Sequence, residues 1–151
     1  GPDSEEHTGI RIRGYPMTTD VIRQILLNDP DVFASIGFTY GTPATKEIRC
    51  FRSDFPNGTT IPCLTYHDIG GIYPNPVGRS ISFQVTAWTQ DEISCKTLAD
   101  KVEKALTGFC GNVGGIFVDG IDPITFSDSF REAATNLWYS YRKFSMLYGV
   151  T

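Results

Sequence analysis

Histidine is scarce in this chain, and only His7 and His67 could act as a general base near neutral pH. His67 precedes Asp68, and neighbouring residues of a strand point to opposite faces, so these two side chains cannot form a catalytic dyad. We interpret His67 as a residue at the edge of a loop. The sequence has no nucleophile-elbow, zinc-protease or phosphate-loop motif. The sequence therefore offers no candidate catalytic residue, cofactor site or metal site.

A cluster of glycines, Gly108, Gly111, Gly114 and Gly115, invites comparison with a phosphate-binding loop. Such a loop leaves a strand and opens a helix, whose free N–H groups then face the anion. Here an amphipathic pattern precedes the glycines and the apolar run 116–121 follows them, so the order is reversed. The sequence therefore predicts a connector between a helix and a strand.

The four cysteines, Cys50, Cys63, Cys95 and Cys110, show no C-x-x-C spacing and no zinc motif. We expect reduced thiols that line the core, and two disulfides are the alternative. The net charge of −4, without a cluster of Lys or Arg, argues against binding to bulk nucleic acid. No apolar run approaches the roughly 20 residues that cross a bilayer, and the start lacks a secretory signal. A soluble protein is expected.

Two strands are predicted in the middle of the chain. Residues 79–88 alternate between apolar and polar side chains, and Phe83 and Val85 lie on the face that should be buried. Residues 61–68 should form a second strand that pairs with them in antiparallel orientation. The Gly- and Pro-rich loop 69–78 between them carries apolar side chains, which makes it a candidate contact surface. The alternative is a loop that folds its aromatic residues onto its own domain.

A long helix follows these strands. Thr89 and Glu92 are spaced as a capping box, and Gly108 can supply the left-handed residue that ends the helix. Asp100 and Lys104 have the spacing of a helical ion pair. The apolar stripe consists of Cys95, Leu98, Ala99, Val102, Ala105, Leu106 and Phe109.

The N-terminal part separates into a tail and the start of a domain. Residues 1–16 begin with Gly-Pro, and we interpret them as a tag remnant or a disordered arm. An arm that orders on a partner is the alternative. Residues 17–151 are predicted to form one domain. It should open with a helix from Thr18 or the next residue, followed by a short second helix capped by Asp31 and ended by Gly37.

In the C-terminal part, the sequence pattern predicts a strand at 116–121 and a long strand at 136–148. Between them we expect a polar excursion at 125–135, with a helical turn near 129–134. Both faces of the last strand carry aromatic residues. We expect part of its second face to contact another subunit, and a concave groove for a small ligand is the competing interpretation. The predicted interface residues are Ile72, Tyr73, Val77, Arg79, Tyr139, Tyr141 and Lys143.

Together these elements predict an α+β fold, in which a small, mostly antiparallel sheet of about four to five strands is packed by an N-terminal helix and one long central helix. The order and spacing of 61–66 (IPCLTY), 83–88 (FQVTAW), 98–106 (LADKVEKAL) and a closing aromatic strand resemble the tail terminator, or tail completion, proteins of long-tailed phages. The excursion at 122–135 is long for that pattern, and residues 1–16 have no counterpart in it.

This resemblance implies a structural protein that is not an enzyme and needs no cofactor. It would form a homo-oligomeric ring, typically a hexamer, on the head-proximal end of the tail tube. The ring would stop tube polymerisation and provide a surface for joining the head. The implied partners are further copies of the chain, the tail tube protein and a head completion or connector protein. DNA would at most pass through the lumen, and no membrane is involved. The implied location is the virion, with host cytoplasm during assembly.

Two alternatives remain open from the sequence. A head-side adaptor or connector component would also form a ring, but on the portal side. An intracellular enzyme or small-ligand binder belongs to a different class, and a deep enclosed cavity with converging polar groups would favour it. A shallow, open sheet surface would favour assembly.

Overall fold

The computed structural model describes residues 11–12, 15–16, 18–40, 45–71 and 79–150. The predicted interface residues Ile72, Tyr73 and Val77 lie outside these ranges, as do residues 1–10. Three helices fall within them: α1 Thr18–Asn28, α2 Pro30–Ile36 and α3 Glu92–Leu106. The strands are β1 Arg11–Ile12, β2 Tyr15–Pro16, β3 Gly37–Tyr40, β4 Thr45–Ile48, β5 Cys50–Arg52, β6 Cys63–Gly71, β7 Arg79–Thr89, β8 Gly111–Val113, β9 Ile116–Phe126, β10 Phe130–Glu132 and β11 Leu137–Val150.

The main sheet has seven strands, more than the four to five expected. Its hydrogen-bonded order is β5-β6-β7-β11-β9-β8, and β10 pairs with the first residues of β11. The β5–β6 pair is parallel and the other pairs are antiparallel, so the sheet is mixed. The strands β5, β8 and β10 have three residues each, too few for a period of two to be visible in the sequence.

The core lies between the helices and one face of the sheet, as the alternating pattern predicts. Phe83 of β7 and Phe144 of β11 are opposite each other in the register, fully buried and stacked with ring centroids 5.3 Å apart. The predicted stripe of α3 faces them, with Ala105 and Phe109 only partly buried. From α1, the residues Val21, Ile22, Ile25 and Leu26 join the same core. Because the helices cover one face, the opposite face of β7 and β11 is left as an outer surface.

The helix ends differ from the predicted capping scheme. Asp91, and not Thr89, caps α3, because its carboxylate accepts a hydrogen bond from the Ser94 N–H at 2.8 Å. The Thr89 hydroxyl instead donates to the Asp91 carbonyl oxygen at 2.7 Å. In α2 the cap is Asp29 rather than Asp31. Pro30 is therefore the first helical residue, and its missing N–H costs nothing because an N–H at that position has no partner within the helix. The predicted left-handed exit of α3 is confirmed, since Gly108 has φ +80°.

The segment predicted as a polar excursion is largely extended. Strand β9 does not end before Pro123 but continues to Phe126, with Pro123 opposite Phe144. No strand pairs with the other side of Pro123 among the described residues, so its missing N–H leaves no gap in a ladder. Ser127 then continues the contact, since its N–H donates to the Tyr141 carbonyl oxygen and its hydroxyl accepts from the Tyr141 N–H. The predicted helical turn is absent from this described stretch, and β10 occupies its place.

All four cysteines are unpaired, in agreement with the expected reduced thiols. Cys50, Cys63 and Cys95 are buried, but Cys110 is exposed and does not line the core. Burial raises the pKa of the Cys50 and Cys63 thiols to about 12. Both groups are therefore protonated and unreactive near neutral pH.

Candidate assembly surface

The outer face of the sheet, opposite the helices, is formed by alternate residues of β7 and β11. These residues are Ser82, Gln84, Thr86 and Trp88 on β7 and Tyr139, Tyr141, Lys143, Ser145 and Leu147 on β11. Lys143 alone among them carries a formal charge. A face rich in aromatic residues with a single charge is typical of the centre of a protein–protein interface rather than of a solvated sheet face.

An aromatic row crosses one end of this outer face. The Trp88 and Tyr139 rings lie opposite each other in the register, with centroids 5.3 Å apart. Phe55 packs edge-on against Trp88 at 5.3 Å, and Phe130 contacts Tyr139 at 5.9 Å. The Trp88 indole N–H donates to the Thr65 hydroxyl at 3.0 Å, which fixes the ring. Rigid, hydrogen-bonded aromatic rings lose little side-chain entropy on binding, which suits a contact surface.

The predicted interface residues are only partly brought together. Tyr139, Tyr141 and Lys143 share the outer face as expected, each half-buried, with the Lys143 ammonium 5.2 Å from the centre of the Tyr141 ring. Arg79, the first residue of β7, is opposite Tyr148, which packs against the core on the helix side. The backbone register therefore assigns Arg79 to the other face of the sheet.

A buried arginine was missed by the sequence analysis, which counted Arg142 only as one position of an alternating strand. Its side chain is 4% exposed. Its Nη2 donates to Asp100 Oδ1 at 2.8 Å and its Nε donates to Glu103 Oε1 at 2.9 Å. Its Nη1 donates to the Ser140 hydroxyl and to the Ser127 carbonyl oxygen. The predicted pairing of Asp100 with Lys104 is thus replaced by a contact between α3 and β11.

A groove runs between α3 and residues 123–130, and we call it the α3 groove. It consists of two open hollows of about 240 and 600 Å³. Phe126 lies over the Arg142 guanidinium at 5.4 Å on one side of the groove. A further open hollow of about 280 Å³ lies between α3, Ser35 and Pro62. All three are surface depressions, and none encloses a ligand-sized volume away from solvent.

The structure gives the remaining candidate residues no shared site. His67 lies within β6, opposite Gln84, and is half-buried rather than at a loop edge. Burial raises the pKa of the neighbouring Asp68 carboxyl. Within the described ranges no three His, Cys, Asp or Glu side chains are grouped as metal ligands. No helix in the same ranges has the length and apolar character needed to cross a membrane.

Comparison with known proteins identifies the fold. No protein-family model matches the chain, and no curated protein matches it. Among solved structures, a chain from the virion of a native gene transfer agent particle is similar, with 15% sequence identity and a TM-score of 0.60. The similarity covers 86% of this chain and 93% of that chain. The protein therefore shares its fold with a chain of the gene transfer agent virion.

Proposed function

We propose that the protein is a structural component of a phage-like virion and acts there as a tail terminator. The observation that carries this proposal is the fold shared over almost the full length of both chains with a chain of the gene transfer agent virion. The order of the strand and helix motifs, which resembles the tail terminator proteins, supports the more specific role.

In this role copies of the chain assemble into a ring, with six subunits as the expected number, on the head-proximal end of the tail tube. The ring stops tube growth and offers a surface to the head connector. The sparsely charged outer face, with its aromatic row, provides a contact surface for such an assembly. The proposed function requires binding and no catalysis. The net charge of −4 would let DNA pass through the ring without adhering to it.

The open hollows favour assembly over the binding of a small ligand. Small-molecule sites usually bury most of the ligand in a concave pocket. The three depressions described above are open to solvent, and none encloses a ligand-sized volume.

Tube polymerisation tests the proposal. Tail tube subunits from the same virion are polymerised with and without the purified protein, and tube lengths are measured by negative-stain microscopy. We expect the protein to halt growth and to form a ring at one end of each tube. Tyr141→Glu, on the outer face, should lose this effect, whereas Asn112→Glu, exposed on β8, should retain it.

Tubes that grow equally long with and without the protein would contradict the tail terminator role. Binding to isolated head connectors, with no binding to tubes, would assign the protein to the head side instead.

A further inference from the structure

The α3 groove carries exposed apolar side chains among charged groups. Three of the six large hydrophobic side chains that are exposed lie along it and away from the aromatic row: Ile93, Ile124 and Phe126, at 78%, 54% and 63% exposure. Single exposed hydrophobic residues are ordinary, but a contiguous group marks a binding surface.

This groove has a fixed shape because Arg142 forms its floor. The guanidinium is bonded to Asp100 and Glu103 on the helix side and to the carbonyl oxygen of Ser127 on the opposite side. Phe126 packs over the same guanidinium. A groove that is held open before binding loses little entropy when it is filled.

The groove and the outer face are two different surfaces, and they meet at Phe130 and Lys143. Phe126 is opposite Arg142 in the register, on the side covered by α3, whereas Tyr139 and Tyr141 have the outward parity of β11. Two different surfaces on one chain suit a head-to-tail contact between copies. A contact of this kind closes into a ring when the rotation between copies permits.

The two surfaces also match in their hydrogen-bonding groups. The rim of the groove carries the carboxylates of Glu92 and Asp128, which have no hydrogen bond within the described part of the chain, against one ammonium from Lys96. The outer face offers the hydroxyls of Tyr139 and Tyr141, which likewise have no described partner. Phenolic O–H groups donate to carboxylates, and their rings match the apolar lining.

We propose that the α3 groove of one copy receives the outer face of the next copy, around Tyr139 and Tyr141, so that the subunits join head to tail. This inference rests on the proposed ring-forming function and assigns its lateral interface. Lys143, whose ammonium lies over the Tyr141 ring, adds a cation that faces the carboxylates of the neighbouring copy.

Mixing two variants tests the arrangement. Phe126→Glu blocks only the groove and Tyr141→Glu blocks only the outer face, and both residues are on the surface, so circular dichroism should show unchanged folding. Each variant alone should be monomeric by light scattering. An equal mixture should form a dimer of one copy of each and nothing larger, because one intact groove meets one intact outer face. Ile124→Glu and Leu147→Glu repeat the test at a second residue of each surface.

Monomers in the mixture, wild-type assembly by Phe126→Glu alone, or a wild-type chain that stays monomeric at its highest soluble concentration would each overturn the proposal. Asn112→Glu serves as the control and should assemble as the wild type does. A mixed dimer together with unaffected tube growth would leave this interface standing and would refute the tail terminator role instead.

Discussion

Arg142 connects three parts of the molecule through one side chain. It joins β11 to α3 through Asp100 and Glu103, and to the segment between β9 and β10 through Ser127. Both carboxylates are roughly half exposed, at 56% and 43%, so the two ion pairs are partly screened by water. The larger contribution comes from the hydrogen bonds of the charged guanidinium to the buried Ser140 hydroxyl and Ser127 carbonyl oxygen, which solvent screens little.

Replacing this arginine should therefore destabilise the protein. We expect Arg142→Met to lower the free energy of unfolding by about 1.5–3 kcal/mol, the range for losing hydrogen bonds made by a charged group. Urea denaturation followed by tryptophan fluorescence measures the change. Arg131→Met, which removes an exposed arginine on β10, is the control and should have little effect. Equal stability of the two variants would show that the Arg142 network does not hold α3 to β11.

The partners of Arg142 explain why its role could not be predicted. Asp100 and Glu103 precede it by 42 and 39 residues, and no periodic pattern links positions so far apart. Tyr139, Tyr141 and Lys143 could be placed on a common face because a period of two within one strand is a local property.

Among the secondary-structure elements, β7 and α3 follow from the sequence because each has a full periodic stripe and a turn signal at its end. The continuation of β9 past Pro123 does not, because a proline is tolerated only where no strand pairs with its other side. Strand β10 is stabilised by pairing with β11, and its three residues are too few to show a hydrophobic period of two. The number of strands was underestimated because β5, β8 and β10 are equally short.

The cap of α3 makes a prediction about pH. Hydrogen bonds from the Ser94 N–H and hydroxyl hold the pKa of the Asp91 carboxyl below its ordinary value of 3.8. The folded state therefore binds fewer protons than the unfolded state, and this stabilisation is present above pH 3.8 and lost as the pH falls through the lowered pKa. We expect Asp91→Ala to lower the urea midpoint at neutral pH and to do so less at acidic pH.

Glu92→Ala is the matched control for this cap, because a capping box would give Glu92 an equal role. Its urea midpoint should stay near that of the wild type at neutral pH. If Glu92→Ala lowers the urea midpoint more than Asp91→Ala does, the helix is capped by the box of Thr89 and Glu92 instead.

On the scale of the whole molecule, one sheet separates two surfaces of different character. The helices fill one side and leave the α3 groove at its edge, with exposed Ile124 and Phe126. The other side carries the aromatic row and a single formal charge among the outward residues of β7 and β11. A monomer with such surfaces would tend to associate, and the proposed assembly into a virion would give both surfaces a partner.

Hydroxyl-radical footprinting tests most directly whether the outer face is buried by assembly. Oxidation of Trp88, Tyr139 and Tyr141 is compared between the free chain and the chain in purified particles, with Phe109, which packs against the core on the helix side, as internal reference. The account predicts strong protection of the three outer-face residues in particles and an unchanged reference. Equal oxidation of Trp88, Tyr139 and Tyr141 in both states would contradict it.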